Sequence, residues 1–172
     1  MKFLTLIRHA KSSRDNPLLA DHLRPLNPRG NRDAPAMGKY LDATFRFAPD
    51  RIISSPATRA LATARLIGES IGYNEWQISQ EERIYEAPVG ALLEVVREMP
   101  DTHSHVCLVG HNPGMENFTN WLCGTRVVSG VTTCAVIMLE FDTASWGTVA
   151  AGKARLREYI YPELIGLRKD EK

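Results

Sequence analysis

Arg8 and His9 stand together after an apolar run at residues 3–7, Arg59 follows Ser55-Pro56-Ala57-Thr58, and His111 lies within Gly110-His111-Asn112-Pro113. Each stretch comes at the end of a run that reads as a buried strand. Two arginines and two histidines would therefore meet at one edge of a sheet. Such a set suits a phosphoryl group. Arginine forks match phosphate oxygens bidentately and stay charged at any working pH. A neutral imidazole beside them can attack phosphorus, and a second imidazole can donate to the phosphoryl oxygens. A helix beginning at Pro113 would add backbone donors and the positive end of its dipole. The sequence has no P-loop pattern and no Gly-rich dinucleotide loop, so a pocket built from side chains is what remains. Taken singly, each stretch has an ordinary reading: Arg-His as surface, Arg59 as a solvated helix residue, Gly-His-Asn-Pro as a turn. Their shared placement at strand ends is what favours chemistry.

The elements that would position these residues alternate. Residues 3–7 form a short apolar run with a charged stop, which predicts a buried strand. Residues 12–27 are aperiodic and contain Pro17 and Pro25, so they read as loop. Helical spacing covers residues 31–45 (Ala34, Met37, Leu41) and 57–71 (Ala60, Ala64, Ile67), with Gly72 as a stop. A strand at 50–54 lies between them. A third helix is expected at 88–99, a buried strand at 106–109 and a helix at 113–122 with proline near its first turn. Residues 135–141 and 148–150 read as two strands joined by a turn at 144–147, forming an antiparallel edge. The pattern predicts one α/β domain over residues 1–172, three-layered, with a mainly parallel central sheet flanked by helices. Ligands of such sheets sit beyond the carboxyl ends of the strands.

Composition narrows the class. Hydrophobic residues make up 44% and charged residues 24%, the balance of a globular domain, and the net charge of +1 offers no basic field for nucleic acid. Cys107, Cys123 and Cys134 have neither disulfide-framework nor zinc-ligand spacing, and Cys107 reads as a small core residue. Residues 3–7 are too short for a signal-peptide core, and no stretch approaches the ~20 apolar residues of a membrane span. The expectation is a cytoplasmic protein with no membrane or nucleic-acid partner. His103-Ser104-His105 has a spacing that could suit a metal but no nearby acidic cluster, so it reads as loop. The charged end, from about residue 166 to 172, reads as a solvated tail.

Longer motifs then carry a resemblance. Arg8-His9-Ala10, Arg24-Pro25-Leu26-Asn27-Pro28-Arg29-Gly30, Ser55-Pro56-Ala57-Thr58-Arg59-Ala60-Leu61-Ala62-Thr63-Ala64 and Gly110-His111-Asn112-Pro113 follow one another along the chain. The chain resembles the histidine phosphatase (phosphoglycerate-mutase-like) superfamily, and within it the small SixA-type phosphohistidine phosphatases. The resemblance implies a phosphoglycerate-mutase-like fold and a phosphatase without metal or organic cofactor. It implies that His9 is the nucleophile and that Arg8, Arg59 and His111 bind the phosphoryl group and stabilise its transition state. Arg24 would add a phosphate contact, and Asn112, beside His111, is counted with the substrate-binding residues. Ala10 stands where the family usually has glycine, which bears on the shape of the pocket. Glu86 matches by position the acid that protonates the leaving group; it is equally what a solvated loop or helix start would carry. The implied substrate is phosphohistidine on a protein. The alternatives are a small phosphomonoester such as a sugar phosphate, or a non-catalytic phosphate-binding module.

Overall fold

The structure, a computed structural model, describes residues 1–169. Six strands, β1 (Lys2–Arg8), β2 (Arg51–Ser54), β3 (Ser79–Gln80), β4 (His105–Gly110), β5 (Val136–Phe141) and β6 (Ala154–Ile160), form one sheet in the order β3-β2-β4-β1-β5-β6. β1 to β4 run parallel, β5 is antiparallel to β1, and β6 is antiparallel to β5. This is the single α/β domain with a mainly parallel sheet that the alternation predicts.

The central strands are mostly apolar, as both of their faces are covered, with Thr5 and His105 as a hydrogen-bonded polar pair. Side chains alternate between two cores. Ile7, Ile52, Cys107 and Val109 point to one face, where they meet Ala34, Met37 and Leu41 of α1 (Pro28–Phe45) and Ala60, Ala64 and Ile67 of α2 (Thr58–Ser70). Leu6, Ile53 and Leu108 point to the other, against Leu92 and Val96 of α3 (Val89–Arg97) and Phe118 and Leu122 of α4 (Gly114–Cys123).

Helix starts follow local chemistry. α1 begins earlier than its apolar spacing indicates because the Asn27 side chain accepts from the Gly30 N–H at 2.9 Å and Pro28 occupies the first turn. α2 stops before Gly72, which adopts φ +76°.

Two expectations need correction. Residues 148–150 are not a strand: Trp146–Thr148 form a 3₁₀ turn around a fully buried Trp146. The edge strand is β6, whose alternation is interrupted. A bulge between Met138 and Leu139 shifts its register, so Arg157 and Glu158 are both exposed while Leu156 and Tyr159 are half-buried. His103-Ser104-His105 is not simply loop either. His105 opens β4, hydrogen-bonds Thr5 Oγ1 through Nε2 at 2.7 Å, and packs edge-on against Phe3 and Phe47. Of the expected solvated tail, Lys169 pairs with Glu163 and the Arg168 carbonyl accepts from Arg32; residues 170–172 lie outside the described ones. No helix among the described residues is long and apolar enough to cross a membrane.

Candidate active site

The register assembles the site. Arg8 is the partner of Gly110 across β1 and β4, and Ser54 is the partner of Val109 across β2 and β4. His9, His111 and Ser55 therefore emerge side by side beyond the carboxyl ends of neighbouring strands. α2 then carries Arg59 back over them. The His9 and His111 rings lie 5.3 Å apart, and Arg59 Nε lies 3.4 Å from His9 Nε2. Arg8, His9, Arg24, Arg59, Glu86, His111 and Asn112 all line one open cavity of about 490 Å³.

His9 is buried and holds one tautomer. Its Nδ1 lies 2.7 Å from the Ala10 carbonyl oxygen, which can only accept, so Nδ1 carries the proton of the neutral ring. Nε2 keeps its lone pair unprotonated, and that lone pair accepts from the Arg59 Nε–H at the long distance of 3.4 Å. Burial, followed by the cationic neighbours, pushes the His9 pKa down to about 3. The ring is thus neutral, and nucleophilic at Nε2, at ordinary pH. Its backbone is fixed by Thr63, which accepts from the Ala10 N–H at 2.9 Å and donates to the Arg59 carbonyl at 2.7 Å. That bond ties the strand end that carries His9 to α2.

His111 is assigned the same tautomer. Ser55 Oγ accepts from the Ala57 N–H and lies 2.8 Å from His111 Nε2, and we assign its hydroxyl proton as the donor to that nitrogen. Nδ1 then carries the ring proton, and it is buried without a partner. Burial first, then Arg59, lowers the His111 pKa to about 4. Arg8 donates through Nη1 to the Val131 carbonyl at 2.9 Å, while its Nε is also buried and unpartnered. Two orphaned donors beside an unprotonated imidazole nitrogen fit an anion that would satisfy both.

The other expected residues are placed as follows. Arg24 is mostly buried and spends Nε on Asp21 and Nη1 on Ser12 Oγ and the Ser13 carbonyl. Asn112 spends its side chain on structure: Nδ2 donates to the Val131 carbonyl and Oδ1 accepts from the Glu116 N–H. Glu86 is exposed at the cavity rim and adopts φ +49°, a left-handed conformation that few non-glycine residues take.

Two participants escaped sequence reasoning. Asp21 sits in a 3₁₀ turn inside the loop at 12–27 and accepts from both Arg59 and Arg24. Tyr85 donates to Asp21 Oδ2 at 2.6 Å and sets its ring edge-on against His111. The Tyr85 hydrogen bond, then Arg59, holds the Asp21 carboxyl well below the usual carboxylate range. Asp21 stands three residues before Arg24, in a loop with no periodicity to mark it. Among the described residues no group of three or more His, Cys, Asp or Glu side chains is placed to hold a metal. A separate cavity of about 290 Å³ opens at the amino ends of β1 and β4 around Phe3, Phe47 and His105. Its imidazole is already engaged by Thr5, so it lacks the converging donors of the first.

Known proteins share this fold. The family model for the histidine phosphatase superfamily, branch 1, matches residues 4–105, a span that holds Arg8, His9, Arg24, Arg59 and Glu86. His111 lies beyond it and joins the set through the geometry. An uncharacterized chloroplastic protein of Arabidopsis thaliana is 31% identical over 83% of this chain and 68% of its own. A solved structure described as the phosphohistidine phosphatase SixA of Agrobacterium tumefaciens is 27% identical, covers 94% of this chain and 98% of its own, and superposes with a TM-score of 0.79. A mycobacterial glucosyl-3-phosphoglycerate phosphatase, 16% identical over 91% of this chain and 97% of its own, shares the fold with a TM-score of 0.66. The chain belongs to branch 1 of the histidine phosphatase superfamily.

Proposed function

We propose that the protein is a phosphatase that works through a phosphohistidine intermediate on His9, with phosphohistidine in proteins as its substrate. The observation that carries this reading is a neutral imidazole with Nε2 unprotonated, accepting only the long 3.4 Å bond from the Arg59 Nε–H, beside the unpartnered Arg8 Nε and His111 Nδ1. A binding module would need the donors but not the unprotonated nucleophile.

In the first step His9 Nε2 bonds to phosphorus as the bond to the leaving nitrogen or oxygen breaks. Negative charge on the equatorial oxygens is met by Arg8, Arg59 and the His111 Nδ1–H. The leaving atom takes a proton, and Glu86 at the rim is the candidate donor. In the second step water attacks phosphorus, the P–N bond to His9 breaks, and inorganic phosphate leaves. Arginines supply the positive charge throughout, so the scheme contains no metal or organic cofactor. Arg24 is assigned a phosphate contact through Nη2, the one nitrogen it does not spend on the loop. Asn112 is assigned to the cavity wall.

The open cavity favours a protein substrate, since a protruding phosphorylated side chain can enter it. Leu18, 93% exposed on the loop that walls the cavity, offers apolar contact to such a partner. Resemblance to the SixA structure supports the same class. A second reading, a small phosphomonoester, draws support from Lys11 and Arg14 on the rim, which could grip a second anionic group. Measuring kcat/KM for a phosphohistidine peptide against sugar phosphates, each repeated with Glu86→Gln, tests the choice. The peptide is expected to win, and the variant to impair ester hydrolysis more than P–N hydrolysis. A sugar phosphate ahead by more than about tenfold, ~1.4 kcal/mol of discrimination, would transfer the assignment to the ester.

A further inference from the structure

The phosphatase scheme leaves Asp21 without a task, although its carboxylate accepts three side-chain hydrogen bonds at the cavity. Arg59 Nη1 donates to the Asp21 main-chain carbonyl at 2.7 Å and Nη2 to its carboxylate at 2.9 Å. Tyr85 donates to the same carboxylate oxygen, and Arg24 Nε donates to the other at 3.1 Å. A carboxylate among phosphate-binding arginines has two opposite explanations. It could compete with the phosphoryl group for them, or it could aim them.

The geometry separates the two. Asp21 takes the two Nη atoms, the end of the guanidinium remote from the chain. Nε, on the side of the fork, is what faces His9 Nε2. A phosphoryl group at His9 would meet the Nε side, which Asp21 does not occupy. Half of the clamp is a main-chain carbonyl, which cannot leave Arg59 unless its 3₁₀ turn moves. That turn is closed by bonds from Leu23 N to the Ala20 carbonyl and from Arg24 N to the Asp21 carbonyl. Arg24 in turn is tied to Ser12 and Ser13.

We propose that Asp21 is a positioning residue: it grips Arg59 by the Nη end and so presents the Nε side to the phosphoryl group on His9, with Tyr85 and Arg24 as its braces. The inference rests on the phosphatase reading, which supplies the group that Arg59 contacts. A variant that loses only the aim of Arg59 keeps its positive charge for the anionic ground state and loses the alignment of the phosphoryl oxygens with His9, so the loss should fall on kcat more than on KM.

The test is steady-state kinetics of wild type, Asp21→Asn and Tyr85→Phe on p-nitrophenyl phosphate, with melting curves. Asp21→Asn is expected to lower kcat about 10- to 100-fold with KM within about threefold. Tyr85→Phe, which removes one hydroxyl and leaves the ring on His111, should lower kcat in the same direction by a smaller factor; it decides the matter alone if Asp21→Asn does not fold. A lower KM and tighter inhibition by inorganic phosphate with kcat retained would make Asp21 a competitor and overturn the proposal. So would kcat and KM of both variants within twofold of wild type. A wild-type protein without turnover would instead overturn the phosphatase reading and, with it, this inference.

Discussion

Gly30 links the fold to the chemistry through one close approach. It lies in the first turn of α1, where a Cβ would sit 2.2 Å from the Lys11 carbonyl oxygen. Ordinary close carbon–oxygen contacts are about 3.3 Å, so Gly30→Ala must move one backbone past the other by about 1 Å. Neither side yields easily. The Lys11 carbonyl also accepts from the Asn27 N–H at 3.0 Å, and Asn27 caps the same helix. Lys11 is bonded directly to Ala10, whose carbonyl fixes the His9 tautomer. Overpacking of this kind costs about 1–3 kcal/mol, which in a chain of this size lowers the melting temperature by roughly 2–12 °C. Displacing the Ala10 carbonyl by a sizeable part of an ångström should also lower kcat/KM by up to about 100-fold. The assay is a thermal melt beside kcat/KM on p-nitrophenyl phosphate. A variant that loses stability yet keeps wild-type kcat/KM would refute the link from α1 to His9. A variant unchanged in both would refute the close packing itself.

Ser55→Ala removes the hydroxyl that sets the His111 tautomer and should cut kcat about 10- to 30-fold, a loss of one buried hydrogen bond worth ~1.5–2 kcal/mol; wild-type kcat would show that Ser55 does not orient the ring. The pH dependence follows from the histidines, whose folded pKa values are about 3 for His9 and about 4 for His111. Both lie below the ordinary value near 6.5, so the unfolded chain takes up protons first. The stability these two groups contribute should therefore be fully present above about pH 6.5 and be lost as pH falls through 4 to about 3. kcat should show no titration near 6.5. An inflection in kcat at pH 6–7 that disappears in His9→Ala would contradict the neutral buried nucleophile.

Much of the site could be read from the sequence because strand ends are punctuated. Apolar runs broken by Arg8-His9, Ser54-Ser55 and Gly110-His111 mark where the polypeptide leaves the core. A parallel sheet brings such points to one edge. The motif around Arg59 also held Ser55 and Thr63, whose hydrogen bonds to His111 and Ala10 explain why those residue types stand there. Asp21 and Tyr85 were hidden for a physical reason. Each lies in an irregular segment, and their meeting depends on two loops folding against each other. β6 was hidden by its bulge, which replaces a period of two with two adjacent exposed charges. Asn112, next to His111 in sequence, faces the Val131 and Glu116 backbone and serves the wall that holds Arg8.

The central claim is that His9 Nε2 forms a covalent bond to phosphorus. Rapid acid-free quenching during turnover, followed by peptide mass spectrometry, measures it directly. The account predicts alkali-stable, acid-labile phosphate on the peptide containing His9 in the wild type. It predicts none in His9→Ala, which should still bind inorganic phosphate through Arg8, Arg59 and His111. Turnover with no labelled histidine, a label on His111 in place of His9, or wild-type turnover by His9→Ala would contradict it.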